Sequence, residues 1–427
     1  MSSARTLVSP TFPPIPGRKV ISVSLEALPN SIDWEVIRPF ARRIRIFSRH
    51  SPHRNRITVD PITISTLMLT CPTSPLFPNL MSLSVVPLSS PSFCMDFGCM
   101  LSGSLTALDV CLPVGLSPDD MHTMAHLVVN RSPGLKNLFV NVSDHAPLAS
   151  FIAPLSSLRN LQTFELSLNN HFPSLPNLTK HTIQPFPELR TLLVRCSAPQ
   201  MMNLLRSIQA NNLERLHLSV IAGQHLVPED AASKLITTLG SQTRWSNSLH
   251  ALLITFCGAL EPMHFTPELY IFGNLTSLQH HFVKYDMSET TLAEMAGAWP
   301  QMEKLIIVHV GAAGLRPCAV TCLAAFATHS PKLRHLDLGI KLDATMLSSY
   351  QANDSERDTV PNSLELQSGK LHIVIHSGSP IRDPKAVAVY ICQLFPSKHL
   401  QLGLSTHSHD SMWEQAQHAL DNLFWEH

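Results

Sequence analysis

The chain predicts an α/β solenoid, in which strand–turn–helix units stack side by side on a shared core. Three observations predict it. A short text, Leu-x-x-Leu-x-Val or a near variant, returns about every 28 residues, a period typical of repeat arrays. Clear copies are Leu80-Met-Ser-Leu83-Ser-Val85, Leu135-Lys-Asn-Leu138-Phe-Val140, Leu189-Arg-Thr-Leu192-Leu-Val194, Leu213-Glu-Arg-Leu216-His-Leu218 and Leu333-Arg-His-Leu336-Asp-Leu338. Between copies the apolar residues switch to helical spacing. Neither the short strand nor the helix can bury its apolar face alone, so neighbouring units must stack.

The strand comes first. Its anchors are Leu80, Leu105, Leu135, Leu161, Leu189, Leu213, Leu249, Leu278, Met302 and Leu333, spaced 24 to 36 residues apart. Apolar residues three and five positions after each anchor give a strand whose alternate side chains enter the core. One copy departs: Leu278-Gln-His-His281-Phe-Val283 has His where Leu is expected. For His280-His281 the alternation predicts one ring buried and one exposed.

The helices follow. Ser117-Pro118-Asp119-Asp120 offers a cap, a proline at the first helical position and acids in the first turn, before Met121, Met124, Ala125 and Val128. Helical spacing recurs over Pro199 to Ala210, Pro228 to Leu239 with Gly240 as a stop, Ser288 to Trp299, and Pro317 to His329. Strands need less room across the stack than helices. The array is therefore expected to curve, with a parallel sheet on the concave face and helices outside.

The ends differ from the middle. Residues 1–30 read as a disordered or extended segment, and 31–75 as a helical cap and lead-in. In the cap, Trp34, Ile37, Phe40, Ala41 and Ile44 share a helical face, and Pro39 should kink or divide the helix. The repeat array runs over 76–345 and a polar loop over 346–363. Residues 364–427 read as divergent repeats and a cap: strands at Leu371–Ile375 and His399–Leu404, a helix opened by Asp383-Pro384, and a last amphipathic helix from Trp413 to Trp425.

Composition excludes several classes. The 31 basic and 31 acidic residues cancel, so no global field points to nucleic acid or an anionic membrane. Nine cysteines without regular pairing fit reduced thiols in the cytoplasm or nucleus. No apolar run approaches the roughly 18 residues of a membrane span. The opening residues lack a signal-peptide core, and Pro10, Pro13, Pro14 and Pro16 oppose an amphipathic transit helix.

The period and the Leu-x-x-Leu-x-Leu core resemble leucine-rich repeats, over roughly residues 76 to 340. That resemblance implies a hydrogen-bonded ladder eight residues after each anchor. Here the column reads Leu88, Pro113, Ser143, Asn169, Ser197, Ile221, Cys257, Asp286, Val310 and Lys341, so an irregular array is expected. The Trp34–Phe47 segment followed by Leu76-Phe77-Pro78-Asn79-Leu80 resembles the region after the F-box in mushroom-type fungal F-box proteins with leucine-rich repeats. In that family the F-box binds an adaptor of a cullin-type ubiquitin ligase, and the repeats hold the substrate. Leu28-Pro29 is the sole dipeptide of the kind that opens an F-box, and no complete F-box is legible.

The function expected is a non-catalytic scaffold that binds a protein on its concave face, with adaptor binding left open by the missing F-box. Strand alternation turns Ser82, Ser84, Asp109, Lys136, Glu165, Arg190, Arg215, His217, His250, Lys304, Arg334 and Asp337 outward as candidate partner-binding residues. One alternative uses the basic run Arg38, Arg42, Arg43, Arg45, Arg49, Arg54 and Arg56 to hold nucleic acid or an acidic partner. Another is a degenerate paralogue without a defined partner. No phosphate loop, dinucleotide fingerprint or Gly-x-Ser-x-Gly elbow is present, so neither enzyme activity nor a cofactor is expected. His407-Ser-His409-Asp410, the helical pair His122/His126 and the pair Cys318/Cys322 each lack the further ligands of a metal site, and no metal is expected.

Overall fold

The computed structural model describes residues 19–23, 31–48, 55–59, 66, 70, 75–85, 93–112, 116–142, 148–168, 186–221, 229–257, 263–264, 267–281, 285–286, 288–308, 318–339, 341–345, 347, 369–375, 379–396, 398–404 and 411–425. They fall into two compact units: Met1–Cys196 with Asn203–Asn212, and Ser197–Met202 with Leu213–His427.

The first unit contains β1 (Lys19–Val23), α1 (Ser31–Ala41), β2 (Ile46–Ser48), β3 (Asn55–Val59), β4 (Ser82–Val85), α2 (Phe93–Met100), β5 (Ala107–Leu112), α3 (Pro118–Arg131), β6 (Asn137–Val142), α4 (Leu148–Leu155), β7 (Thr163–Leu168) and β8 (Thr191–Cys196). Strands β2, β4, β5, β6, β7 and β8 form a parallel ladder in that order, and β1 pairs with β3. Helix α5 (Ala198–Ser207) spans the division between the units.

The second unit contains β9 (Arg215–Ile221), α6 (Glu229–Gly240), β10 (Ala251–Cys257), β11 (Met263–His264), β12 (Ser277–His281), β13 (Tyr285–Asp286), α7 (Glu289–Ala298), β14 (Lys304–Val308), β15 (Cys318–Ala319), α8 (Leu323–His329), β16 (His335–Asp337), β17 (Leu342–Asp343), β18 (Gly369–Ile375), α9 (Pro384–Leu394), β19 (Lys398–Leu404) and α10 (Ser411–Trp425). Its parallel ladder runs β9, β10, β12, β14, β16, β18, β19. Parallel strands joined through helices are the α/β architecture of a leucine-rich-repeat solenoid.

Most repeats open in the same way. The anchor N–H donates to the carbonyl three residues earlier, as in Leu105 to Ser102, Leu135 to Ser132, Leu161 to Leu158 and Leu333 to Ser330. The carbonyl of the residue after the anchor then accepts two N–H groups from the next strand. Thr106 O takes Lys136 and Asn137 at 2.9 and 3.0 Å; Lys136 O takes Gln162 and Thr163 at 2.8 and 2.9 Å. The same fork recurs at Arg45, Met81, Gln162, Glu214, His250, Thr276 and Glu303. It sets the register, so residues three and five after each anchor face the helices and are buried: Leu108 and Val110, Leu138 and Val140, Leu192 and Val194, Leu252 and Ile254.

The register corrects one anchor. Leu278 pairs with Leu252 and Leu305, so it stands in the column three residues after the anchor, and Leu275 is the anchor. His280 then occupies the column five after, where the other strands carry Leu, Ile or Val. It is buried and its ring lies 5.6 Å from that of Phe256. His281 is half-exposed, as alternation requires.

A side-chain ladder lies one residue before the anchor. Asn79, Asn160, Asn212 and Asn274 donate through Nδ2 to the carbonyls of Arg42, Pro133, Pro187 and Asn247 at 2.8, 3.1, 3.0 and 3.1 Å. Ser104 does the same through its hydroxyl to Pro78 O at 3.0 Å. Of the column eight residues after the anchor, Leu88, Pro113, Ser143, Asn169 and Val310 lie outside the described residues; within it Ile221 is buried and cannot extend such a ladder.

The helices obey their sequence signals. Ser117 caps α3: its hydroxyl accepts the Asp120 N–H at 3.1 Å while the Asp120 carboxylate accepts the Ser117 N–H at 3.2 Å. Asp383 caps α9 by accepting the N–H groups of Lys385 and Ala386. Gly240 ends α6 where an added Cβ would meet Glu268 O at 2.8 Å. In α1, Trp34 and Ala41 are buried, but Phe40 points outward with Arg43 stacked over it at 5.9 Å, contrary to the expected face. Pro39 stays inside this one helix, and the chain turns to strand at Ile46. The expected helix at Pro317–His329 is shorter, because β15 and a 3-10 turn over Val320–Cys322 come first.

Truncating a column residue should therefore cost far more than removing a ladder asparagine. Leu138→Ala should lose about 2–5 kcal/mol of stability. Asn160→Ala, at an exposed hydrogen bond, should lose about 1 kcal/mol. Urea unfolding of both variants checks the ranking.

Candidate functional site

The same register that buries the odd columns turns residues two and four after each anchor away from the helices. In the first unit, paired strands align Ser84, Asp109, Phe139, Glu165 and Leu193 in one row, and Ser82, Ala107, Asn137, Thr163 and Thr191 in the other. In the second unit, one row carries His217, Leu253, Gln279, Ile306, Asp337 and Val374. Its companion carries Arg215, Ala251, Ser277, Lys304, His335 and His372.

The candidate residues occupy three kinds of position. Lys136, Arg190, His250 and Arg334 directly follow their anchors and are exposed along the strand starts, where their backbones meet the carbonyl forks. Ser82, Arg215 and Lys304 stand two after the anchor, and Asp109, Glu165, His217 and Asp337 four after; all are half-exposed or exposed. Ser84 is only 9% exposed, and its hydroxyl donates to Asp109 Oδ2 at 2.8 Å. It orients that carboxylate from below the surface.

Sequence reasoning passed over the apolar members of these rows. Phe139, Leu193, Leu253 and Ile306 are half-exposed on the same face as the charges. The signal was the same alternation, but in Leu189-Arg-Thr-Leu192-Leu193-Val194 an outward leucine sits between two buried residues and reads as core. His335 was also missed. Its Nδ1 lies 3.1 Å from Nδ1 of His372 on the next strand.

Desolvation shapes the charges on each face. Burial raises the pKa of Glu165, and the nearby Asp109 carboxylate raises it further. Two acids thus flank the Phe139 ring in register, at a mutual electrostatic cost. In the second unit burial lowers His217, with His281 adding to the effect. Burial also lowers His281, with Lys304 adding and Asp337 opposing. His335 is lowered by burial first and by His372 next, again against Asp337. These three imidazoles are therefore held neutral at neutral pH, in line with their ordinary value near 6.5.

The remaining motifs separate clearly. Of the basic run, Arg38 is half-buried, Arg45 Nη1 donates to Asn79 O at 3.4 Å, and Arg42 and Arg43 are exposed. Arg49, Arg54 and the Arg56 side chain lie outside the described residues, as does His407-Ser-His409-Asp410. Cys318 and Cys322 are both buried, and burial chiefly pushes the Cys322 thiol up to about 12, so it is not a thiolate at neutral pH. Among the described residues no group of three His, Cys, Asp or Glu is placed to hold a metal ion. No helix among them is long and apolar enough to cross a membrane.

Neither a family model nor a curated protein matches the chain. Solved structures do show likeness. A leucine-rich-repeat protein of Leptospira interrogans is 13% identical, with 90% of each chain covered and a TM-score of 0.41. A chain of the yeast Rad7–Elc1 complex is 11% identical, with 88% of this chain and 81% of that one covered, at a TM-score of 0.38. The plant peptide hormone receptor RGFR1, in complex with RGF2, is 11% identical, covering 85% and 64%, at 0.29. The parallel ladders and their repeated carbonyl forks define the fold.

Glu165 sets a pH prediction. Its folded pKa lies above the unfolded value of 4.5, so the folded state binds the extra proton as pH falls. Stability is then lost as pH rises from the unfolded pKa through the folded one, and at pH 7 the carboxylate carries a net cost. Glu165→Gln should stabilise the fold at pH 7 by about a few tenths of a kcal/mol, read as a higher urea midpoint, a small effect because solvent screens a half-exposed group. The gain should vanish at about pH 3, below both values.

Proposed function

We propose that the chain is a non-catalytic protein-interaction scaffold, and that it serves as the substrate-recognition part of an F-box-type ubiquitin ligase. The supporting observation is the composition of the outward rows. Phe139 between Asp109 and Glu165, Leu193 beside Glu165, Leu253 between His217 and Gln279, and Ile306 between Gln279 and Asp337 put apolar surface inside polar, solvent-facing rows. Neither the core nor the ladder uses these side chains. Apolar groups framed by satisfiable polar ones are the makeup of a specific protein interface.

The ligase part of the reading draws on the sequence resemblance at Trp34–Phe47 and Leu76–Leu80. In this reading the repeats present the substrate surface, and adaptor contact belongs to the end of the chain that carries α1. There Val36 and Phe40 are exposed beside Arg42 and Arg43.

Affinity purification of the tagged chain with mass spectrometry tests both levels. A stable partner should lose at least about tenfold in recovery with Phe139→Asp plus Leu193→Asp, since central apolar contacts dominate interface energy. Thr123→Glu on the exposed side of α3 should leave it unchanged. Co-purification of an adaptor and a cullin supports the ligase reading; stable partners without them remove it. A partner lost with Thr123→Glu but kept with the face variant contradicts the scaffold reading.

A further inference from the structure

On the second unit's open face, two imidazoles are arranged as a pair rather than as neighbours by chance. His335 on β16 and His372 on β18 are directly opposite in the parallel register, with side chains on the same face. Their ring centroids are 4.9 Å apart, the planes meet at 53°, and Nδ1 faces Nδ1 at 3.1 Å. Adjacent parallel strands lie about 4.8 Å apart, so the centroids keep the strand spacing and the close approach comes from a turn of the rings that brings Nδ1 to Nδ1.

The third strand makes room for that turn. A Cβ at Gly403 on β19 would collide with Nε2 of His372. The absence of a side chain there lets the His372 ring lie across β19, with Nε2 over the glycine and Nδ1 turned toward His335. The geometry points to a two-imidazole site for one borderline divalent cation of the zinc class, held between Nδ1 of His335 and Nδ1 of His372.

The spacing fits. Two imidazole nitrogens at about 2.0–2.1 Å from a tetrahedral zinc ion stand about 3.3 Å apart. The observed 3.1 Å needs only a small opening of the two rings. Without metal, one Nδ1–H donates to the other Nδ1 lone pair. Metal binding takes both lone pairs, so the shared proton moves to the Nε2 of its own ring as that ring changes tautomer.

The other coordination positions point away from the helices. Among the described residues no third side chain completes the set, so water or a ligand from a bound molecule fills them. Asp337, two residues along β16, supplies a favourable nearby charge and accepts the Gly339 N–H at 3.1 Å. Lys304, opposite His335 on β14, is the opposing charge.

A second imidazole pair must be kept apart in the test. His122 and His126 lie one turn apart on exposed α3, with Nε2 atoms 3.0 Å apart. The experiment therefore uses the full chain carrying His122→Ala, titrated calorimetrically with zinc chloride. One zinc should bind, and adding His372→Ala should weaken it by at least about tenfold, since even loss of an outer-shell partner costs that much. His335→Ala should do the same, and Gly403→Ala, which keeps both ligands, should weaken binding by displacing the His372 ring. Thermal unfolding with and without zinc gives a second readout: the midpoint should rise only when both imidazoles are present. Far-ultraviolet circular dichroism confirms that each variant is folded. No zinc binding by the folded His122→Ala chain, or binding indifferent to His335 and His372, would overturn the assignment.

Discussion

In repeat after repeat, a single carbonyl accepts two N–H groups from the strand that follows. Thr106, Lys136, Gln162, His250, Thr276 and Glu303 all do this, with donor distances of 2.8 to 3.0 Å. The fork fixes where each strand begins against its neighbour. A one-residue slip would send every buried leucine to solvent and every charge into the core. The anchors and the columns three and five residues on can stay apolar because this bond sets the phase. At β18 the fork thins to one bond, from His372 to Arg334 O. There Lys398 bridges instead, its ammonium donating to Leu333 O at 2.6 Å.

The phase that protects the core also writes the open face. Residues two and four after each anchor have no choice but to line up across strands, whatever their chemistry. This explains why Asp109, Phe139 and Glu165 meet, and why Lys304, His335 and His372 do. It also explains the shifted acidities, since a ladder packs like side chains side by side and half removes them from water. Loss of solvent at the sheet surface is the first cause of both shifts, raising the pKa of Glu165 and lowering those of His217 and His335.

Much of this was legible in the sequence because the strands repeat one short text. Leu80, Leu105, Leu135 and Leu161 stand where spacing put them, and the caps at Ser117 and Asp383 close as their residues predict. The frame failed at Leu278 because two overlapping readings, Leu275-Thr-Ser-Leu278 and Leu278-Gln-His-His281, both begin with leucine. Only pairing with Leu252 and Leu305 distinguishes them. The repeat resemblance implies a ladder after the strand, yet asparagines one residue before the anchor make it, where Asn79 and Asn274 meet the preceding repeat's carbonyls. Phe40 was assigned inward by helical spacing alone, which does not know where the next element packs. The outward Phe139 and Leu193, and the His335–His372 pair, depend on which strands become neighbours, and that is a property of the fold rather than of any local window.

The central claim is that one register divides each strand into a core side and an open side. Thiol labelling along β6 tests it most directly. Single cysteines at Asn137, Phe139 and Asn141 should react rapidly with a maleimide under native conditions. Those at Leu138, Val140 and Val142 should stay protected until the chain unfolds. Native Cys111, half-exposed on β5, and buried Cys196, whose thiol is pushed far above its ordinary range by burial, set the two limits. Equal labelling along β6, or protection at 137, 139 and 141 in place of 138, 140 and 142, would contradict the register and the face built on it.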